Sequence, residues 1–75
     1  MYSYKFKPLS EYDTPTGEHT CFQTRMFGDV FRIRKDANGT FSIWKKERLS
    51  NDFITIKEGL LGLKPAKKYF ARYIL

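Results

Sequence analysis

Apolar and polar side chains alternate from the start of the chain. Tyr2, Tyr4 and Phe6 are separated by Ser3, Lys5 and Lys7, the period of a strand with one buried face, so a first strand is expected over residues 2 to 7. Pro8 and the stretch from Ser10 to Glu18 contain turn formers and three acids without any period, which reads as a loop.

The middle of the chain carries the strongest pattern. Residues 20 to 27 and 30 to 36 flank Gly28-Asp29. Glycine at the first central position suits a two-residue type II′ hairpin. That register pairs Phe27 with Val30, places Met26, Thr24 and Phe22 opposite Phe31, Ile33 and Lys35, and sets Arg25 opposite Arg32 on the other face. The next connection is best read as a three-residue Ala37-Asn38-Gly39 loop with Gly39 in the left-handed region. It pairs Lys35 with Phe41, Ile33 with Ile43 and Arg32 with Trp44. A two-residue Asn-Gly loop would instead oppose Ile33 to Trp44 and Phe31 to Lys46.

The expected product is a three-stranded meander of residues 20 to 27, 30 to 36 and 40 to 48, with Phe22, Met26, Phe31, Ile33, Phe41 and Ile43 on the core face. The opposite face carries Gln23, Arg25, Phe27, Val30, Arg32, Arg34, Ser42, Trp44, Lys46 and Arg48. Beyond a turn at residues 49 to 52, Phe53-Ile54-Thr55-Ile56 is favoured as a short strand. Thr55-Ile56-Lys57-Glu58 also matches a capping box that would open a helix, but Gly59 and Gly62 weaken that alternative. From Pro65, the residues Ala66, Tyr69, Phe70, Tyr73 and Ile74 recur at helical spacing, with Lys67, Lys68 and Arg72 off the stripe. The pattern therefore predicts an α+β fold: one small domain over residues 1 to 75, an antiparallel sheet of three to four strands able to curl toward a barrel, and a C-terminal helix on its apolar face.

Composition narrows what such a chain can do. At 75 residues, 41% hydrophobic, 17% aromatic and 29% charged, it has enough apolar content to fold and too little length for a second domain. No apolar run approaches the length of a membrane span, and the charged, aromatic N-terminus does not resemble a signal peptide. One cysteine and one histidine give neither an internal disulfide nor a four-ligand zinc site, which fits a reducing cytoplasm and no cofactor. A domain this small without staples is marginal, and homodimerisation or a bound partner is one route to further stability.

The net charge is +6 and unevenly placed: residues 1 to 24 sum to −1 and the remainder to +7. On the outer sheet face, Arg25 opposite Arg32 would be a repulsive cross-strand pair, relieved by an anion between them or by stacking on the Trp44 indole. The first functional expectation is thus a non-enzymatic nucleic-acid-binding domain. Arg25, Arg32, Arg34, Lys45, Lys46 and Arg48 would contact phosphates beside Trp44, and reversing Arg32 to Glu should abolish binding. The plainer alternative is a solvated face with Trp44 shielded by arginine stems or by the helix. A different class of function is also compatible: a stand-alone protein-binding module, such as a phage-type host-directed inhibitor or adaptor, docking its cationic face on an acidic protein surface. A chain opening at Met1 with 75 residues suits such a small reading frame.

Other constellations are weaker. Tyr2, Tyr4 and Phe6 with Lys5 and Lys7 resemble a stacking strip but are better explained by core packing. Lys64, Lys67, Lys68 and Arg72 form either a phosphate-contacting helical stripe or a solvated face. Glu18, His19 and Cys21 lie close in sequence without the oriented donors and pocket that nucleophilic catalysis needs, and Gly59-x-x-Gly62 lacks the lysine and spacing of a phosphate-binding loop.

Overall fold

The computed structural model describes residues 5–75. Five antiparallel strands, β1 (Lys7–Pro8), β2 (Cys21–Met26), β3 (Asp29–Lys35), β4 (Phe41–Lys46) and β5 (Ile54–Leu60), lie side by side in chain order as an open sheet. A helix, α1 (Leu63–Tyr69), packs across one face and continues into a π-helical turn, Phe70–Ile74. The sheet thus has five strands where three or four are expected, and it does not close into a barrel. The difference comes from its ends. Lys7 and Pro8 pair with Gln23 and Phe22 to add a two-residue edge strand, and β5 extends to Leu60. Of the rest of the expected first strand, Lys5 and Phe6 are not part of a strand, and residues 2 to 4 lie outside the described residues.

The β2–β3 hairpin departs from the expected register. Met26 pairs with Asp29 and Arg25 with Val30, so Phe27 and Gly28 form the turn. Both have positive φ, 57° and 84°, the conformation whose twist matches that of the flanking strands. The observed and expected pairings differ by two residues, so every side chain keeps its face while its partner changes. Arg32 now faces Gln23 instead of Arg25, and the anticipated arginine–arginine opposition does not occur.

The second hairpin has the expected register: Lys35 pairs with Phe41, Ile33 with Ile43 and Arg32 with Trp44. Gly39 has φ 87°, and the loop is closed by Asp36 N–H donating to Thr40 O at 2.7 Å. The segment beginning Thr55-Ile56 is strand, not helix. Its pairing with β4 steps from Phe41–Leu60 to Ile43–Lys57 to Trp44–Thr55, so β5 carries an extra residue at two places. Gly59, at φ 73°, lies in the first of these bulges, where a left-handed residue is needed.

Phe6, Met26, Phe31, Ile33, Ile43, Ala66 and Phe70 form the buried cluster, and Phe22, Phe41, Ile56, Leu60 and Leu63 pack against it. Phe70 is its centre. The rings of Phe6 and Phe31 each meet Phe70 edge-on at 5.0 Å between centroids, a favourable arrangement of ring quadrupoles. The helix begins two residues before Pro65, within whose first turn proline is tolerated. Leu75 N–H donates to Phe70 O at 2.9 Å, the five-residue step of a π turn. The wider turn carries the residues after Phe70 off the α-helical stripe. Tyr73, expected on the apolar side, is 65% exposed. Among the described residues, no helix is long and apolar enough to cross a membrane.

Candidate nucleic-acid interface

Strand alternation sorts the candidate cations. Arg25, Arg32, Arg34, Trp44 and Lys46 share the face opposite the helix, with Val30 flanked by Arg25 on β2 and Lys46 on β4. Lys45 belongs to the other face. It pairs with Phe31, holds its ammonium 5.9 Å from that ring and lies 3.7 Å from Asp29 Oδ2. Arg48 lies beyond the end of β4 but returns to the same end of the sheet. Its backbone N–H donates to Asp29 Oδ1 at 3.0 Å, and its stem crosses the β2–β3 turn at Gly28.

Arg32 is the fixed point of this face. Its Nε donates to Gln23 Oε1 at 2.8 Å and its Nη1 to Tyr12 Oη at 3.2 Å. The guanidinium carbon lies 4.5 Å from the centre of the Phe53 ring and 5.5 Å from that of Tyr12. A planar cation held by two aromatic rings and two hydrogen bonds is a preorganised charge. Reversing it to Glu would remove a structural clamp along with a charge, so Arg32 is an unsuitable first probe of binding.

Trp44 is half-buried. Its Nε1 donates to Ser42 Oγ at 2.7 Å, Ser42 Oγ donates to Asp36 Oδ1 at 3.0 Å, and the Arg34 guanidinium lies 5.3 Å from the indole. Trp44 thus supports Arg34, while the more exposed ring is Phe27 at the β2–β3 turn, 68% accessible.

The loop over residues 9 to 20 folds back on the outer face. Leu9 N–H donates to Cys21 O, Lys35 N–H donates to Thr20 O, and Thr20 Oγ1 donates to Tyr12 O, which holds Tyr12 beside Arg32. Cys21 and Ser42 on this face are each only 1% exposed. Burial pushes the Cys21 thiol pKa up; Arg32 and Arg34 oppose that shift, and Glu11 adds to it. A protonated, enclosed thiol is not an activated nucleophile. His19 turns to Asp13 instead, with Nδ1 3.0 Å from Oδ1, so Glu18, His19 and Cys21 are not assembled into a group. Among the described residues, no set of three or more His, Cys, Asp or Glu side chains is placed to hold a metal ion.

Three carboxylates are held by other partners. Glu18 pairs with Lys35, Asp13 with His19 and Asp29 with Lys45. Among the described residues, the guanidinium and ammonium groups of Arg25, Arg32, Arg34, Lys46 and Arg48 have no carboxylate oxygen within 4.0 Å. Sequence reasoning missed three contributors. Lys7 stands opposite Gln23 on the edge strand, and Tyr12 and Phe53 arrive from aperiodic segments. Phe53 had a faint signal, since it immediately precedes a β-branched run; Tyr12 had none.

The chain matches no known family model, no curated protein and no solved structure.

Proposed function

We propose that this protein is a non-enzymatic nucleic-acid-binding domain whose outer sheet face contacts phosphates. The observation that carries the reading is the division of charge. The acids near the sheet pair with Lys35, His19 and Lys45, while Arg25, Arg32, Arg34 and Lys46 share the outer face and their cationic groups have no carboxylate oxygen within 4.0 Å among the described residues. Clustered cations repel one another, and that cost is relieved when a polyanion neutralises them and releases its own counterions. Arg32 supplies a charge fixed in place before binding. Arg25 and Arg34 are exposed, Lys46 is half-buried, and the four together span β2, β3 and β4.

The test is fluorescence anisotropy with labelled nucleic acid across a salt series, comparing the wild-type chain with the double reversal Arg25→Glu, Lys46→Glu. These side chains lie outside the buried cluster, so the variant should fold. Wild-type affinity is expected to fall linearly with salt on logarithmic axes, and the variant should lose most of it. Equal binding by the two proteins at low salt would overturn the assignment of the face.

A further inference from the structure

Resting on the reading above, we infer that a cleft at the β1 edge of the sheet takes a phosphate monoester, the terminal phosphate of a nucleic-acid strand lying on the outer face. The cleft measures about 590 Å³, and Lys5, Lys7, Gln23 and Arg25 line it. Ligand pockets span about 300–1,000 Å³.

The cleft exists because strand pairing stops there. Lys7 pairs with Gln23 and Pro8 with Phe22, but Lys5 and Phe6 are not part of a strand. Leu9 N–H donates to Cys21 O while Lys35 N–H donates to Thr20 O, so Cys21, Gln23 and Arg25 turn their backbone groups toward β1. At Arg25 that side holds no strand. Its backbone N–H has no β1 acceptor among the described residues and faces the cleft that Arg25 lines.

The side chains add further donors. Lys5, Lys7 and Arg25 are exposed, and their cationic groups have no carboxylate oxygen within 4.0 Å among the described residues. Gln23 is oriented by its neighbour: Arg32 Nε donates to its Oε1 at 2.8 Å, which leaves the Nε2 hydrogens without a protein acceptor among the described residues. Three cations and an oriented amide exceed what the single charge of a backbone phosphodiester needs. A terminal phosphate carries a charge of about −1.5 to −2 at neutral pH and three acceptor oxygens. The position agrees, since β1 is the last strand on this side and a nucleic acid laid across β4, β3 and β2 runs out of sheet at the cleft. Lysine and proline on a short edge strand also deter pairing with another sheet. That role needs neither Arg25 nor the orientation of Gln23.

The decisive experiment is fluorescence anisotropy with one internally labelled oligonucleotide of about a dozen nucleotides, single-stranded and annealed to its complement, ending in a 5′-phosphate, a 3′-phosphate or hydroxyls alone. The wild-type chain should bind one phosphate-ended form about tenfold more tightly than the hydroxyl-ended form. Both lysines are exposed, so the double variant Lys5→Gln, Lys7→Gln should fold. Whatever its overall affinity, its ratio between the two forms should drop to about one. In NMR spectra, the difference between the phosphate-ended and hydroxyl-ended complexes should fall on the Gln23 side-chain amide and the Arg25 backbone amide. Equal binding of the three end forms, a preference that survives in the variant, or a spectral difference confined to other residues would overturn the inference and leave the phosphate-binding reading intact. Absence of salt-sensitive binding to every form would overturn both.

Discussion

The indole N–H of Trp44 donates to the hydroxyl of Ser42 two residues away on the same strand face, at 2.7 Å. That hydroxyl passes its own hydrogen to Asp36 at 3.0 Å. Ser42 is enclosed, and it satisfies a donor and an acceptor at once. Ser42→Ala should therefore destabilise the fold by about 1–3 kcal/mol, the cost of leaving enclosed polar groups without partners. Urea unfolding followed by Trp44 fluorescence reads both the loss and any change in the indole environment.

Gly28 should tolerate a side chain worse than other left-handed glycines. A Cβ there would lie 2.9 Å from Arg48 Cδ, whereas one at Gly39, with nearly the same φ, meets nothing within 4 Å. Gly39→Ala should cost about 1 kcal/mol from backbone strain alone. Gly28→Ala should cost more, and Arg48→Ala in that background should recover the excess. A double-mutant cycle by thermal unfolding checks this coupling.

Alkaline conditions should expose the buried thiol. The Cys21 pKa is raised in the folded chain, so the unfolded chain releases the proton first as pH rises. The associated stability is fully present below the ordinary thiol value and is lost as pH climbs from there through the raised folded value. Tyrosines and lysines titrate nearby, so the measurement is the difference between wild type and Cys21→Ala in urea unfolding from neutrality upward. The wild-type advantage should shrink with pH.

Removing Phe70 should abolish folding. Its ring is fully enclosed and meets Phe6 and Phe31 edge-on. Truncating a buried phenylalanine costs about 3–5 kcal/mol, comparable with the whole stability of about 3–5 kcal/mol expected from one small core. Phe70→Ala should give an unfolded NMR spectrum, while Phe70→Leu retains dispersed amide signals.

Sequence alternation was sufficient for the two faces but not for every pairing. Ile33 opposite Ile43 followed from a loop that put glycine at its left-handed position while aligning apolar residues. At the first hairpin, the turns Gly28-Asp29 and Phe27-Gly28 differ by two in pairing and leave the faces unchanged, so the apolar pattern cannot choose between them. Conformational preference then pointed the wrong way, because an aromatic residue occupies a left-handed position. Arg25, Arg32, Arg34, Trp44 and Lys46 were brought to one face by the same alternation that sends Lys45 to the other. The clamp on Arg32 was not legible, since Tyr12 and Phe53 come from segments without a period. Tyr73 left the helical stripe because a π turn follows Phe70.

Because each strand hydrogen-bonds only to its neighbours in the chain, the order of assembly is constrained as well as the final arrangement. Hairpins can form one after another with short loop closures, which favours rapid folding. Yet Phe6 and Phe31 meet their shared partner only when Phe70 arrives from beyond Gly62. During synthesis the sheet would emerge with its oily side open, and the helical segment would act as the late latch that commits the chain to its native state.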